Sequence, residues 1–146
     1  MQWKIKTFSE LTIEELYAIL RLRSEVFVVE QNCAYQDIDN VDQRSIHVWL
    51  EEDHTILGYL RYFDKTGEPE TAQVGRVVTS VRGKGYGAEV LNRGIMEILG
   101  TGLYEEIYLE AQVYAIPFYE KAGFRVTSDE FLEDGIPHVE MRRTLK

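Results

Sequence analysis

The stretch that decides the fold reads Val77-Val78-Thr79-Ser80-Val81-Arg82-Gly83-Lys84-Gly85-Tyr86-Gly87-Ala88. It runs from β-branched residues typical of a strand, through a glycine-rich turn, into a segment with helical periodicity. The apolar residues at that spacing are Val90, Leu91, Ile95, Met96 and Leu99. Alternate glycines allow positive φ, so successive N–H groups can converge on an anion at the positive end of the helix dipole. The stretch predicts a phosphate-binding turn, although an isolated glycine motif is more often an ordinary solvated turn.

Two well-known nucleotide-binding motifs are alternative interpretations of this turn. Gly83, Gly85 and Ala88 match the spacing of a dinucleotide fingerprint, and Glu110 lies near the distance of its ribose-binding acid. A Rossmann domain needs several further βα units, however, and only one helical segment and short strands follow. A P-loop is excluded because Lys84 precedes a glycine instead of Ser or Thr, and the longer spacer between its glycines is missing.

A second motif lies downstream of the turn, where a strand at Ile107–Gln112 is followed by Ile116-Pro117-Phe118-Tyr119-Glu120-Lys121-Ala122-Gly123-Phe124. This segment and Arg82–Gly87 together resemble the two signatures of the GNAT superfamily of N-acetyltransferases, in the order and separation typical of that family. Three further segments resemble its ElaA-type branch: Arg23–Cys33, Tyr35–Asp39 and Asp134–His138. The resemblance covers nearly the whole chain.

The resemblance implies an α+β fold. We expect a mixed, mostly antiparallel central sheet of about six to seven strands, with helices on both faces and two neighbouring strands splayed apart into an acetyl-CoA wedge. Periodicity agrees: it predicts a strand at 3–6, a helix capped by Thr12 with Glu15, and strands at 46–51, 56–63 and 73–79. The polar stretches 39–45 and 64–70 are predicted to be loops.

By the same resemblance, acetyl-CoA is the co-substrate and two groups of residues bind it. Its pyrophosphate is assigned to Arg82, Gly83, Lys84, Gly85, Tyr86, Gly87 and Ala88. Its pantetheine is expected to pair with a strand edge at Val77, Val78 and Thr79, although anchoring the alignment on Arg82 moves these contacts one residue earlier. A main-chain donor on this strand could also polarise the thioester carbonyl. Gln112 stands where the family usually has asparagine, and its amide can serve the same contact.

Acetyl transfer to an amine needs a neutral nitrogen nucleophile and a protonated or stabilised leaving thiolate. Tyr119 is assigned as the acid by resemblance, since its hydroxyl is expected to face the CoA sulfur. Without the family context, Tyr119 would be interpreted as part of the apolar face of a short helix. Glu110, at the end of a strand beside the wedge, is the predicted base. Glu30, His47 and His138 are rivals, with Glu30 and His47 also candidates for substrate binding, and an amine that arrives neutral needs no base.

Composition is consistent with one catalytic domain spanning residues 1–146, with a soluble, cytoplasmic location and no membrane association. The net charge of −9, from 16 basic and 25 acidic residues, disfavours nucleic acid as a partner and is compatible with an amine-bearing small molecule or peptide. Asp37, Asp39 and Asp42 lack the spacing of an EF-hand and are interpreted as a solvated acidic loop.

No metal cofactor is expected, because no two His or Cys residues stand at zinc-ligand spacing. The single cysteine, Cys33, cannot form an internal disulfide and is interpreted as a small buried hydrophobe.

Two classes of function follow from the sequence. The first is an acetyl-CoA-dependent N-acetyltransferase that acts on a primary amine by direct transfer in a ternary complex. The second is a catalytically silent acyl-CoA-binding module that serves as a sensor or interaction subunit; an NAD-binding protein is a distant third. A homodimer is compatible with the sequence, which does not identify the acceptor.

Overall fold

A computed structural model describes residues 1–145 as one sheet with helices on both faces. The strands are β1 (Gln2–Thr7), β2 (Ile46–Glu52), β3 (Thr55–Lys65), β4 (Glu68–Thr79), β5 (Glu106–Gln112), β6 (Arg125–Val126), β7 (Phe131–Glu133) and β8 (Ile136–Thr144). The helices are α1 (Ile13–Arg23), continued by a π-helical segment (Ser24–Glu30), α2 (Tyr86–Thr101) and α3 (Ile116–Glu120). Single turns of 3-10 helix lie at Phe8–Glu10, Asp42–Arg44 and Val113–Ala115.

The sheet has the order β1-β2-β3-β4-β5-β8-β6, and β7 pairs with β8. The β4–β5 pair is parallel, whereas the other neighbouring strands are antiparallel. The predicted α+β fold is therefore confirmed. The described sheet has eight strands because β6 and β7, which have only 2 and 3 residues, add to it.

Helix α2 covers one face of the sheet through a narrow stripe. Val90, Leu91 and Ile95 are buried there as predicted, and Ile98 joins them. Gly94 allows close contact, since a Cβ at this position would lie 2.8 Å from the Leu60 side chain. The predicted stripe was too wide, however: Met96 and Leu99 are 65% and 46% exposed because they project from the flanks of the helix.

Helix α1 covers the opposite face. Its first turn is closed by the predicted capping box, in which Thr12 Oγ1 accepts from the Glu15 N–H at 3.1 Å and the Glu15 carboxylate accepts from the Thr12 N–H at 2.9 Å. Ile19 and Leu22 then pack into a cluster of apolar side chains from the π-helical segment and the sheet, which consists of Val26, Trp49, Ile56, Tyr59 and Val78.

The polar stretch 64–70 is not a loop, and that prediction was wrong. Strand β3 continues to Lys65 and β4 starts at Glu68, so only a two-residue turn with Gly67 at φ 81° separates them. The polar residues alternate along the exposed end of a long hairpin, where strands also carry polar side chains.

Strands β4 and β5 diverge near the middle of the sheet. They pair only at Thr71–Gln73 of β4 and Glu106–Tyr108 of β5. Just beyond this, β4 has one extra residue relative to β3, because Tyr59 and Arg61 face Val78 and Gly75. Arg76 lies in this bulge with φ 54°. The bulge bends β4 away from β5 and opens the predicted wedge.

No helix within residues 1–145 is both long and apolar enough to cross a membrane.

Candidate active site

A cavity of about 850 Å³ fills the wedge between β4 and β5. This volume lies in the range of small-molecule and cofactor sites. Its wall includes several of the predicted cofactor and catalytic residues: Val77, Val78, Thr79, Arg82, Gly87, Glu110, Gln112 and Tyr119. It also includes residues that sequence reasoning did not assign, among them Tyr35, Arg76 and Glu133. The fold therefore brings most of the predicted site residues to one cavity.

The glycine turn has the backbone that an anion site needs. Gly83 and Gly85 have φ values of 76° and 78°, and a Cβ at either position would meet no atom within 4 Å. The glycines are therefore required by their dihedral angles, not by lack of space. Gly85 is the N-cap of α2 and no side chain of residues 1–145 caps the helix, so its first N–H groups stay available to an anion. The remaining predicted residues, Lys84, Tyr86 and Ala88, lie in this turn and the first turn of α2.

Arg82 points toward solvent, with 68% of its side chain exposed, and contacts the Glu30 carboxylate at 3.0 Å. Glu30 does not line the cavity. Its predicted contact with a substrate is therefore not supported by its position, which places it beside the phosphate-binding turn instead. A bound phosphate would compete with Glu30 for the Arg82 guanidinium.

The free edge of β4 lies along the cavity. The Ser80 N–H donates to the Leu57 carbonyl at 3.2 Å, and Val78 lies opposite Tyr59 on β3. Because main-chain groups on alternate residues point to the same neighbour, the Thr79 N–H and C=O point away from β3 into the wedge. Of the three residues predicted for pantetheine, Thr79 thus has free main-chain groups, while those of Val78 face β3.

Tyr119 lies in the short helix α3 with its ring against two aromatic neighbours, Phe118 at 5.0 Å and Phe124 at 6.0 Å between centroids. Within residues 1–145 its hydroxyl makes no hydrogen bond, although the residue lines the cavity. Burial raises the pKa of this phenol well above its ordinary value. The hydroxyl therefore stays protonated and can donate to a group in the cavity.

Glu110 and Glu140 flank the Tyr108 hydroxyl, and together with Glu133, which neighbours Glu110, they form what we call the carboxylate cluster. The Tyr108 hydroxyl lies 2.7 Å from Glu110 Oε2 and 2.8 Å from Glu140 Oε2. A phenol has one proton and donates to one acceptor at a time. Within the described chain, no Lys or Arg nitrogen lies within 4.0 Å of any of the three carboxylates. No Lys or Arg is therefore in direct contact with the cluster, although Arg76 favours the ionised form of Glu133 from a longer distance.

Glu133 and His138 extend this cluster along the β7–β8 hairpin. Partial burial and the hydrogen bond with Glu110 raise the pKa of Glu133 to about 7. His138 Nδ1 lies 2.7 Å from the Ile136 carbonyl, an acceptor that fixes the proton on Nδ1 and leaves Nε2 facing Glu133 Oε2 at 3.4 Å. Both residues line the cavity.

A second acidic group, which we call the ion-pair cluster, corrects the prediction of a solvated loop at Asp37, Asp39 and Asp42. Asp37 and Asp42 are only 7% and 4% exposed. Each of the three carboxylates contacts a guanidinium at 3.0 Å or less; the arginines of the cluster are Arg23, Arg61 and Arg76. Burial opposes ionisation of Asp39, but the contacts with Arg61 and Arg76 outweigh it and lower its pKa to about 2.

Arginines from α1, β3 and the β4 bulge hold this loop against the sheet. One nitrogen of the cluster, Arg61 Nε, is buried and has no hydrogen-bond partner among residues 1–145. The sequence could not show the pairing because the arginines are distant in the chain and the acids alone resemble a solvated run.

His47, predicted as a substrate-binding residue or base, does not reach the cavity. It is 0% exposed, its Nε2 donates to the Asp42 carbonyl at 3.0 Å, and its Nδ1 lies 2.6 Å from the Tyr59 hydroxyl. Burial lowers the pKa of this imidazole, which favours the neutral ring. The prediction is corrected: His47 links β2 to the ion-pair cluster.

Cys33 is free, as expected, but it is only partly buried and lies in the cavity wall. The interpretation as a core residue was therefore wrong. Its Sγ lies 3.6 Å from the Asp134 carbonyl oxygen, which it approaches from the loop that follows the π-helical segment.

Glu133 is the functional candidate that the sequence analysis missed. The sequence feature that could have located Glu133 is the pair Asp134-Gly135 that follows it, since Asp-Gly favours a tight hairpin turn with positive φ at both positions. The observed values are 52° and 76°. That turn folds β7 back on β8 and returns Glu133 to the cavity beside Glu110.

Within residues 1–145, no group of three or more His, Cys, Asp or Glu residues could hold a metal ion.

Comparison with known proteins decides the family. The acetyltransferase (GNAT) domain family matches residues 6–145. The chain belongs to the GNAT family. Protein ElaA of Escherichia coli is 36% identical over 149 residues, covering 98% of this chain and 96% of ElaA. A UPF0039 protein of Schizosaccharomyces pombe is 38% identical over 153 residues, covering 99% and 98%. The predicted GNAT membership and the likeness to ElaA are thus confirmed.

Solved structures agree with this GNAT assignment. The crystal structure of an acyl-CoA N-acyltransferase from Pseudomonas aeruginosa matches with a TM-score of 0.91 and 38% identity, covering 99% of this chain and 100% of that one. The crystal structure of Escherichia coli ElaA matches with a TM-score of 0.90 and 34% identity, covering 97% and 98%. The GNAT fold is therefore shared with relatives along nearly the whole chain.

Proposed function

We propose that this protein is an acetyl-CoA-dependent N-acetyltransferase that acts on a primary amine of a small molecule or peptide by direct transfer in a ternary complex. The observation that carries the proposal is the cavity, in which an uncapped helix N-terminus, a free strand edge and an unpartnered phenol lie along one wedge. The helix N-terminus suits the pyrophosphate of CoA, the strand edge suits its pantetheine, and the phenol suits its sulfur.

The cofactor fits the residues present. The N–H groups of the Gly83–Gly87 turn, with Arg82 and Lys84 beside them, would hold the pyrophosphate at the start of α2. The free edge at Val77 and Thr79 would pair with the pantetheine amides in the manner of an added strand. Gln112, which donates to Gln31 Oε1 at 3.4 Å, stands at the far side of the wedge with an amide able to contact the same chain. When bound, acetyl-CoA supplies an activated acyl thioester.

In this proposal Tyr119 donates from its hydroxyl to the sulfur that leaves. A phenol with a raised pKa holds its proton more firmly than a thiol does, so its role is a hydrogen bond that stabilises the thiolate more than a complete proton transfer. Glu110 is the proposed base, since its carboxylate lies in the cavity wall at the end of β5. The Thr79 N–H, which points into the wedge, would polarise the thioester carbonyl.

The test is a thiol-release assay with acetyl-CoA and a panel of primary amines that spans polyamines, aromatic amines and lysine-containing peptides. We expect release of CoA that depends on one class of amine, with the acetylated product identified by mass spectrometry. Binding of acetyl-CoA without transfer to any member of the panel would contradict the enzyme and favour a silent acyl-CoA-binding module. Propionyl-CoA in place of acetyl-CoA tests the choice of acyl group.

A further inference from the structure

One end of the cavity lies away from the phosphate-binding turn, where strands β3 and β4 approach their connecting turn. Its wall includes four residues that form what we call the hairpin end: Arg44, Phe63, Thr66 and Gln73. Phe63 and Gln73 face each other across β3 and β4, and Thr66 lies in the turn between the two strands. No part of acetyl-CoA is assigned to these residues, so the hairpin end is free to hold part of the acceptor.

Arg44 differs from the other arginines of the cavity wall. Arg61, Arg76 and Arg82 each contact a carboxylate at 3.0 Å or less. Among residues 1–145, the Arg44 guanidinium forms no ion pair, and its side-chain hydrogen bond goes to the Asp64 carbonyl at 3.0 Å. The other N–H donors of the guanidinium stay free. Because arginine keeps its proton in proteins, Arg44 brings a permanent positive charge without a protein counter-charge to the cavity.

The position of Arg44 is fixed by the ring beneath it and by the turn that carries it. The central carbon of its guanidinium lies 4.7 Å from the centroid of the Phe63 ring. The 3-10 turn that ends at Arg44 begins at Asp42, whose carboxylate accepts from Arg23 at 2.7 Å and from Arg61 at 2.9 Å. The ion-pair cluster therefore holds this cation in place before a ligand arrives, which lowers the cost of ordering it on binding.

Two further side chains of the hairpin end carry unused donors. Within the described part of the chain, neither the Gln73 amide nor the Thr66 hydroxyl makes a side-chain hydrogen bond to the other two polar groups or to the sheet. An amide nitrogen and a hydroxyl can each donate to an oxygen that carries negative charge. Together with the guanidinium, they form a set of donors suited to an anion.

Two acids adjoin the hairpin end, and both are engaged elsewhere. Asp39 also lines the cavity, but its carboxylate contacts two guanidiniums of the ion-pair cluster at 2.6 and 3.3 Å. Asp64 follows Phe63 on β3, so its side chain projects from the opposite face of the strand, where it accepts from the Tyr104 hydroxyl. Although the chain has a net charge of −9, the charge that faces the hairpin end is that of Arg44.

We propose that the hairpin end binds a carboxylate of the acceptor, so that the acceptor is an amine that carries a carboxylate at its other end. The Arg44 guanidinium would meet the carboxylate oxygens, and Thr66 and Gln73 would supply further donors. The inference rests on the proposed N-acetyltransferase function and deepens it by naming the acceptor class. Arg44 acts in recognition of the acceptor and takes no part in acyl transfer.

The length of β4 sets the length of this acceptor. Val77 and Thr79, at the edge proposed for pantetheine, lie four and six residues after Gln73. At about 3.3 Å per residue, these positions are about 13–20 Å from the hairpin end. Side chains and cofactor shorten the gap at both ends, so we expect about 10–15 Å between the acceptor nitrogen and its carboxylate. An extended peptide of about three or four residues has this span.

The first arm of the test measures binding of acid and amide pairs. The probes are glycine peptides of two to six residues and straight-chain amino acids of matched length, each with a free carboxylate and as the corresponding carboxamide. Calorimetry on protein saturated with CoA should show the free acid binding about 5- to 50-fold more tightly than its amide at the predicted length. If no free acid of the series binds more tightly than its amide, the subsite is rejected.

The second arm assigns this preference to Arg44. Arg44→Gln should weaken binding of the free acid to the level of the amide and leave the amide unchanged, while Arg44→Lys should keep part of the preference because it keeps the charge. Arg21→Gln, which changes an exposed arginine of α1, is the control. A merely structural role of Arg44 would weaken both members of a pair equally. A wild-type preference in Arg44→Gln would overturn the assignment.

Turnover separates recognition from chemistry. In the thiol-release assay, Arg44→Gln should raise the KM for a free-acid acceptor by about 5- to 50-fold with kcat within about twofold, because the carboxylate lies away from the reacting atoms. A loss of kcat with unchanged KM would contradict this role.

The outcomes also separate the subsite from the function on which it rests. If acetyl-CoA fails to bind in calorimetry, the proposed function fails, whatever the acid and amide pairs show. If acetyl-CoA binds and amines are acetylated while acids and amides behave alike, the function stands and the carboxylate subsite is rejected.

Discussion

The ion-pair cluster and the carboxylate cluster lie on the same face of the sheet, but they shift the pKa values of their acids in opposite directions. In the ion-pair cluster each aspartate contacts an arginine, and the pKa of Asp39 falls to about 2. In the carboxylate cluster Glu110 and Glu140 share one phenol, and burial together with the neighbouring Glu110 raises the pKa of Glu133 to about 7. The difference teaches that paired acids hold this fold together, whereas acids without a cation mark the place where a ligand would act.

The same contrast extends to the rest of the cavity. The Tyr119 hydroxyl, the free edge at Thr79 and the first N–H groups of α2 all lack protein partners within residues 1–145, although each lies at or beside the wedge. Changes in the ion-pair cluster should therefore reduce stability, and changes in the cavity should reduce binding or turnover. The two regions thus divide into structural residues and ligand-binding residues.

The largest effect is expected at Arg23, whose side chain is 0% exposed and contacts Asp37 and Asp42 at 3.0 and 2.7 Å. Arg23→Ala leaves each of these two buried carboxylates with one guanidinium instead of two and should lower the free energy of unfolding by about 3–5 kcal/mol in urea titrations. Arg21→Ala, on the same helix but 73% exposed, is the control and should change it by less than about 1 kcal/mol. Equal effects at the two positions would contradict the division.

In the cavity, Tyr119→Phe removes only the hydroxyl. We expect kcat to fall about 10- to 100-fold, in line with the loss of one hydrogen bond to a charged group, while the calorimetric affinity for acetyl-CoA stays within about twofold. Tyr17→Phe, which changes an exposed tyrosine of α1, is the control. Unchanged kcat in Tyr119→Phe would rule out the assigned role of the phenol.

The phosphate-binding turn is tested by Gly85→Val. A β-branched residue at φ 78° costs about 1–2 kcal/mol, which should either distort the turn or weaken acetyl-CoA binding by about 5- to 30-fold. Gly100→Val, in the last turns of α2 where φ is ordinary, should leave the affinity unaltered. Wild-type affinity in Gly85→Val, measured by calorimetry, would remove the turn from the cofactor site.

The two clusters should give opposite pH dependence of stability. Asp39 has a lowered pKa in the folded state, so its contribution is present above pH 4 and is lost as pH falls toward 2. Glu133 has a raised pKa, so its ionisation reduces stability as pH rises from about 4.5 to 7. Glu133→Gln should therefore gain stability relative to the wild type between pH 5 and pH 8, measured by urea unfolding. A constant difference between the two proteins across that range would contradict the raised pKa.

The smallest effect concerns Glu30, which contacts Arg82 at the edge of the phosphate-binding turn. Glu30→Gln frees the guanidinium for phosphate and should tighten acetyl-CoA binding by no more than about fivefold, because exposed ion pairs contribute less than about 1 kcal/mol. Glu25→Gln, on the same π-helical segment and paired with Arg21, is the control. Weaker binding in Glu30→Gln would show that Glu30 supports the site.

Local sequence signals predicted most of the fold. The capping box at Thr12 and the strands β2 to β5 could be placed because each rests on periodicity or on capping chemistry within a few residues. The hairpin at 64–70 was missed because an exposed strand end and a polar loop have the same composition. The flanks of α2 were misplaced because a helix of 16 residues can turn several apolar faces toward its sheet, and only the packing against Leu60 fixes which one.

The lining of the cavity agrees with the sequence analysis at Arg82, Gly87 and Tyr119, and the sequence analysis missed the features that depend on pairing between distant residues. Arg23 and Arg61 are separated from Asp42 by 19 residues each. No local sequence pattern therefore indicates that the two arginines neutralise the Asp42 carboxylate. His47 seemed available as a base because the sequence cannot show that Asp42 and Tyr59 occupy both of its ring nitrogens. Glu133 was overlooked because its role depends on the turn that folds β7 onto β8.

Calorimetric titration of the wild-type protein with acetyl-CoA, and separately with NAD, tests the central claim that the unpartnered groups of the wedge form a CoA site. The account predicts that acetyl-CoA alone binds, with a dissociation constant below about 1 mM. Binding of NAD alone would contradict it and assign the glycine turn to a dinucleotide, and binding of neither compound would contradict it and leave the turn an ordinary structural one.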